Sequence, residues 1–89
     1  MDWPAKDPDE VLDYKLDWSA RLASGDTIAS SAWVVPNGIA QDSATSDDTT
    51  ATIWLSGGEA GRSYAIQCRV TTAQGRTHDQ TVRLPVRTK

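Results

Sequence analysis

Leu12, Tyr14, Leu16 and Trp18 alternate with Asp13, Lys15, Asp17 and Ser19. A period of two puts one set of side chains on each face of an extended chain, so the pattern predicts a β-strand with one buried face. An amphipathic helix would need apolar residues three and four apart. "ASGD" then reads as a turn around Gly25. "TIASSAWVVP" is a second predicted strand, ended by Pro36-Asn37-Gly38. Residues 37–48, "NGIAQDSATSDD", are small and polar, and predict a long connection with room for a short strand at Ile39. Alternation resumes in "TTATIWLS", with Ala51, Ile53 and Leu55 on one side and Thr52 and Trp54 on the other. In "SYAIQCRVTT" the inward set is Tyr64, Ile66, Cys68 and Val70. "AQGR" makes a hairpin loop, and "THDQTVRLPV" turns Val82, Leu84 and Val86 inward and Arg83 and Arg87 outward. Pro85 has no N–H to give a ladder, which predicts a sheet edge there.

About six short strands separated by turns, with no helical segment, predict an all-β fold of the small sandwich or barrel kind. The chain has 89 residues, enough for one domain. Its core must be small, because a chain this short leaves about a third or more of its unfolded surface exposed, and it has no Phe and 38% hydrophobic residues. Four Trp must fill much of it, each burying on the order of 200 Å². Residues 1–10 contain Pro4 and Pro8 and few apolar groups beyond Trp3. They are expected to form an extended N-terminal arm, loose in the free protein, ahead of a sandwich domain over residues 11–89.

Charge changes the picture in one respect. Residues 1–48 hold ten of the twelve acids and three of the nine bases, a sum of −7, while residues 49–89 sum to +4. Overall acidity argues against sequence-independent nucleic-acid binding, which needs a basic stripe. The asymmetry is expected to resolve as acidic and basic strands paired side by side in one sheet. The sharper alternative is head-to-tail contact between copies. The chain contains no apolar run of about 18 residues, the length a membrane helix needs. The acidic "MDWPAKDPDE" has no apolar stretch of the secretory-signal kind. One cysteine, Cys68, allows no internal disulfide and no thiolate metal cluster, which fits synthesis in a reducing cytoplasm.

"WLSGGEAGRSYAIQCRV", from Trp54 to Val70, invites a phosphate-loop reading. That loop needs a glycine five residues ahead of a Gly-Lys-Ser/Thr and a helix behind it. Here Ser56 stands in the first place, Arg62 follows Gly61, and a strand follows the loop, so no helix N-terminus can hold an anion. A corner between two strands fits better. Leu55 closes one strand, Gly57, Gly58 and Gly61 reverse the chain, and Tyr64 opens the next. In immunoglobulin-like sandwiches a tyrosine at such a corner buries its ring and returns its hydroxyl to nearby backbone.

Little in the chain points to catalysis. His78 and Asp79 are neighbours on a strand and point to opposite faces, so they do not form a base and its orienting acid. His78 is expected to be a solvated loop histidine. Cys68 sits on an apolar face, where a free thiol behaves as a small hydrophobe. The acidic clusters at Asp7, Asp9 and Glu10 and at Asp47 and Asp48 lack the spaced carboxylates and glycine of a calcium loop. No catalytic, cofactor or metal site is expected. The candidate partner contacts are aromatic: Trp54, opposite Ile53 and Leu55; Trp33, opposite Ala32 and Val34; and Trp3 on the arm.

Three stretches together, "DPDEVLDYKLDWSARLASGDTI", "TATIWLSGGEAGRSYAIQCRVTTAQGRT" and the closing "LPV", resemble a family of small proteins of tailed phages and prophages, the fiber–tail adaptors. The likeness covers nearly the whole chain. Leu16-Asp17-Trp18-Ser19 and Trp54-Leu55-Ser56-Gly57-Gly58 carry most of it, and "VVPNGIAQDSATSDD" departs from it. The resemblance implies an immunoglobulin-like β-sandwich and a structural, non-enzymatic place in a virion, with other virion proteins as partners and no cofactor. Copies are expected to be made in the bacterial cytoplasm and to work in the assembled particle, with a homo-oligomer there one possible form. A stand-alone binding module for a host-surface glycan or protein is the alternative, and two or three exposed Trp in a row on one sheet would favour it.

Overall fold

The computed structural model describes residues 2–89. Six strands form two antiparallel three-stranded sheets. They are β1 (Leu12–Asp17), β2 (Ile28–Val34), β3 (Ile39–Ser46), β4 (Thr50–Gly57), β5 (Ser63–Thr72) and β6 (Thr77–Pro85). One sheet has the order β1-β4-β3 and the other β2-β5-β6. Among the described residues there is no helix. The alternation therefore builds a small β-sandwich.

The inward residues meet as the period of two requires. Ala51, Ile53 and Leu55 of β4 and Ile66, Cys68 and Val70 of β5 have no exposed surface, nor do Val82 and Leu84 of β6. Each buried Val, Leu or Ile contributes about 1.5–3 kcal/mol relative to exposure. Tyr14, Leu16 and Trp18 close the β1 side of this core. The two central strands, β4 and β5, thus supply seven of the sixteen residues of the core.

Three expectations change. Residues 37–48 are not mainly a connection: β3 runs for eight residues along β4, with a register shift between Gln41 and Ser43. Only Ile39 of β3 is buried, and the other seven residues are exposed. A strand wet on both faces has no reason to alternate, and its ladder to β4 holds it.

The loose arm over residues 1–10 is also corrected for residues 2–10; Met1 lies outside the described residues. Trp3 is only 8% exposed and stacks on Tyr14 with ring centroids 4.7 Å apart. Its N–H donates to Arg83 O, and the Lys6 N–H donates to Pro85 O, both at 3.0 Å. The Lys6 side chain is buried, and its Nζ donates to Gly57 O at 2.6 Å and to Asp7 O at 2.9 Å. Burial pulls the Lys6 ammonium below the ordinary lysine range, against the pull of nearby carboxylates led by Glu10. The arm is extended because it follows β6, and it is held because a large ring and a desolvated ammonium need partners.

Acidic and basic strands do not share a sheet. The aspartates of β1 and β3 lie in one sheet, and Arg69 and Arg83 lie on β5 and β6 in the other. The chain changes sheet at residues 18–27, 35–38 and 58–62, so charge that is separated along the sequence becomes separated across the sandwich.

Candidate docking face

The outer face of β1-β4-β3 is built around Trp54. Its neighbours Ile53 and Leu55 point into the core, so strand alternation sends the indole outward. Trp54 lies at the middle of the central strand, opposite Asp13 on β1 and Ser43 on β3, and is 40% exposed. Lys15, Thr52 and Thr45 form the next row. Val11, just ahead of β1, is also exposed.

Carboxylates frame this indole. Asp13 and Asp17 stand on β1, and Asp42 accepts a hydrogen bond from Ser56 Oγ at 2.8 Å. The Ser19 N–H, 2.9 Å from Asp17 Oδ1, holds that carboxyl below the usual range. At the β3–β4 turn the N–H groups of Thr49 and Thr50 do the same for Asp47. Lys15 is the one cation on β1, β3 and β4. The face therefore offers a flat aromatic anchor inside a negative field, a combination suited to gripping a basic protein surface.

The opposite face of the sandwich differs. Arg69 pairs with Asp79 at 2.8 Å, and Arg83 lies 3.8 Å from Asp2, so its cations face acids of the same molecule. Val34, 61% exposed, is its large apolar side chain.

The other two tryptophans singled out in the sequence are placed elsewhere. Trp33 does not face outward. It sits opposite Cys68 on β5, half-buried, with its ring 6.1 Å from that of Trp3. Trp3 itself is in the core. The structure thus brings Trp3 and Trp33 together inside and leaves Trp54 alone on the surface.

Leu55, Gly57, Gly58, Gly61 and Tyr64 meet at the corner between β4 and β5. Tyr64 Oη accepts from the Glu59 N–H at 2.9 Å. Gly58 has φ +93°, and a Cβ there would stand 2.9 Å from Val86 Cγ2, so both backbone sign and space call for glycine. The Gly61 N–H donates to Val86 O, and the Val86 N–H donates to Arg62 O. With Lys6 on Gly57 O, the corner ties together the arm, both sheets and the chain's last strand. Lys6 is the residue sequence reasoning missed: nothing in "PAKDP" marks a lysine whose partner lies 51 positions away.

His78 is corrected from a solvated loop residue to a half-buried position on β6, opposite Val70 and facing inward near Trp18. Cys68 lies opposite Gln80, so thiol and imidazole are diagonal neighbours on adjoining strands. Cys68 has no exposed surface, and burial pushes its thiol up to about 11. A nucleophile needs the opposite on both counts. Among the described residues, no three His, Cys, Asp or Glu side chains gather closely enough to hold a metal ion, and no helix is long and apolar enough to cross a membrane.

No curated protein matches the chain. Residues 6–85 match the family described as podophage GP4 fiber-tail adaptor protein gp77, a match that begins at the buried lysine and ends with β6. Most of the chain is covered, and the chain therefore belongs to the podophage fiber-tail adaptor family of phage structural proteins.

Proposed function

We infer that this protein is a non-enzymatic tail component that joins fibre to tail through protein–protein contacts, and that its β1-β4-β3 face is one of the contact surfaces. The observation that carries this reading is Trp54, an indole held in the open at the centre of a rigid, acid-framed sheet. A large aromatic side chain there adds nothing to the core, whereas buried against a partner it is the kind of residue that dominates interface energy. Membership of an adaptor family supplies the partner class, other virion proteins.

The glycan-module reading asked for two or three exposed tryptophans in a row. Trp3 and Trp18 are buried and Trp33 is half-buried, so the surface has no such row to support it. Replacing Trp54 with Ala is expected to leave the melting temperature unchanged within a few degrees, as surface changes do, and to reduce incorporation into particles by about tenfold or more. The measurement is quantitative immunoblotting of purified virions complemented with each variant. Normal incorporation of Trp54→Ala would remove this face from the adaptor contact.

A further inference from the structure

The four sheet edges of the sandwich differ in how they are protected against pairing with another strand. β6 is covered by the arm, and its Pro85 offers no N–H. β1 carries Asp13, Lys15 and Asp17 in alternation, a charged edge. On β2, the Ile28 N–H already donates to Asp48 O. β3 is the most open. Seven of its eight residues are exposed, and its sequence includes no Lys or Pro to discourage pairing. Among the described residues, the backbone hydrogen bonds of 39–46 run to β4 alone.

The ladder shows which groups are free. The Asp47 N–H donates to Thr50 O, so Asp47 and Thr50 form a bonded pair at the turn. Bonded and non-bonded pairs alternate back from there, which turns the N–H and C=O of Ser46 and Ala44 away from β4. The register shift at Asp42 bends the first half of the strand. The usable strip is therefore Ser43 to Ser46, four small side chains over which another backbone can approach closely.

Charge selects the occupant. Asp42 stands at one end of the strip and Asp47 and Asp48 at the other, with no cation on β3 or in its turn. Pairing two copies edge to edge would bring six carboxylates together, counting three from each. An incoming strand with Lys or Arg at its ends would instead meet opposite charge. We propose that the free edge of β3, at Ser43–Ser46, receives an extended, basic-flanked segment of a neighbouring virion protein as an added strand. The backbone groups of Ala44 and Ser46 supply affinity, and the aspartates supply register and selectivity. This rests on the adaptor reading, and uses the free backbone edge of the same sheet whose outer face carries Trp54.

The test uses the full chain and particles from a phage deleted for it. Hydrogen exchange is measured on the chain alone and on the chain bound to those particles. The amides of Ala44 and Ser46 should exchange at least about tenfold more slowly when bound. Ala44→Pro removes one free N–H without touching the β4 ladder, and should bind about tenfold more weakly while melting with the parent. Asp48→Lys, at the turn end of the strip away from Trp54, should also weaken binding and flatten its salt dependence. Binding with unchanged exchange at Ala44 and Ser46 overturns the proposal while leaving the Trp54 face standing. So does a concentration-dependent dimer that protects the same amides without particles, since the occupant would then be a second copy. Absence of any binding to the particles would overturn the adaptor reading itself.

Discussion

Tyr64 governs the glycine corner through a single oxygen. Its ring is buried and its Oη takes the Glu59 N–H, so the loop's own backbone is satisfied by the strand that follows it. Tyr64→Phe should cost about 1 kcal/mol, the net worth of one such hydrogen bond. Tyr64→Ala should cost about 3–5 kcal/mol, because the cavity would sit against Gly38 and Gly58 with little freedom to collapse. Urea denaturation of the two variants checks both, and an Ala variant as stable as the parent would show that the corner does not hold the fold. Tyr64 was legible in the sequence because its strand alternates cleanly. Trp33 was not, since Val34 and Val35 follow it and alternation cannot choose a face; its ladder position opposite Cys68 decides. His78 failed for the same reason: its face is set by Val70 across the hairpin, and its neighbours Thr77 and Asp79 are polar.

At the scale of elements, strands with an apolar signal were readable, β2 included through the Trp33-Val34-Val35 run at its end, and the one without it was hidden. β1, β4, β5 and β6 announce themselves through their inward residues, whereas β3 has one buried residue and depends on β4 for its existence. The arm was hidden differently. Proline and acidic residues in "MDWPAKDPDE" resemble a loose terminus, but Trp3 and Lys6 are placed by groups on β1, β4 and β6 that no local pattern contains. The arm now reads as an irregular seventh element laid along the β6 edge. Removing residues 1–10 would uncover Tyr14 and strip the outer edge of β6 of the arm's backbone hydrogen bonds. Loss of the Trp3 ring alone should cost about 3–5 kcal/mol, a large part of the 5–15 kcal/mol typical of a domain. A chain of residues 11–89 is therefore expected to be largely unfolded at 37 °C by circular dichroism. If it melts with the full chain, the arm is an accessory and not part of the core.

For the molecule as a whole, one side is tied shut and the other left open. The arm, the C-terminus and the glycine corner converge at the tied side, where the Lys89 N–H donates to Asp7 Oδ2 and the Lys89 Nζ lies 2.8 Å from Glu10. The open side carries β3 and the acid-framed Trp54. An adaptor needs this division, because a rigid scaffold lets exposed groups meet a partner without the ordering cost a mobile segment would incur. The ties have a pH signature. The backbone N–H of Lys89 and then that of Asp9 hold the Asp7 carboxyl below its usual range, and Lys89 does so for Glu10. The Arg69 guanidinium lowers Asp79 in the same way. A carboxyl whose folded pKa is depressed binds protons more readily in the unfolded chain, so its contribution is complete above the unfolded value, about 4, and fades as pH falls through the folded value. The melting temperature should accordingly be nearly level from about pH 7 to 5 and fall below about pH 4, with amides near Lys89 and Lys6 losing protection before those of β5. Because the carboxyls involved are exposed, raising the salt should blunt the fall. A melting temperature that holds steady down to about pH 2 would show that these ties do not keep the arm closed.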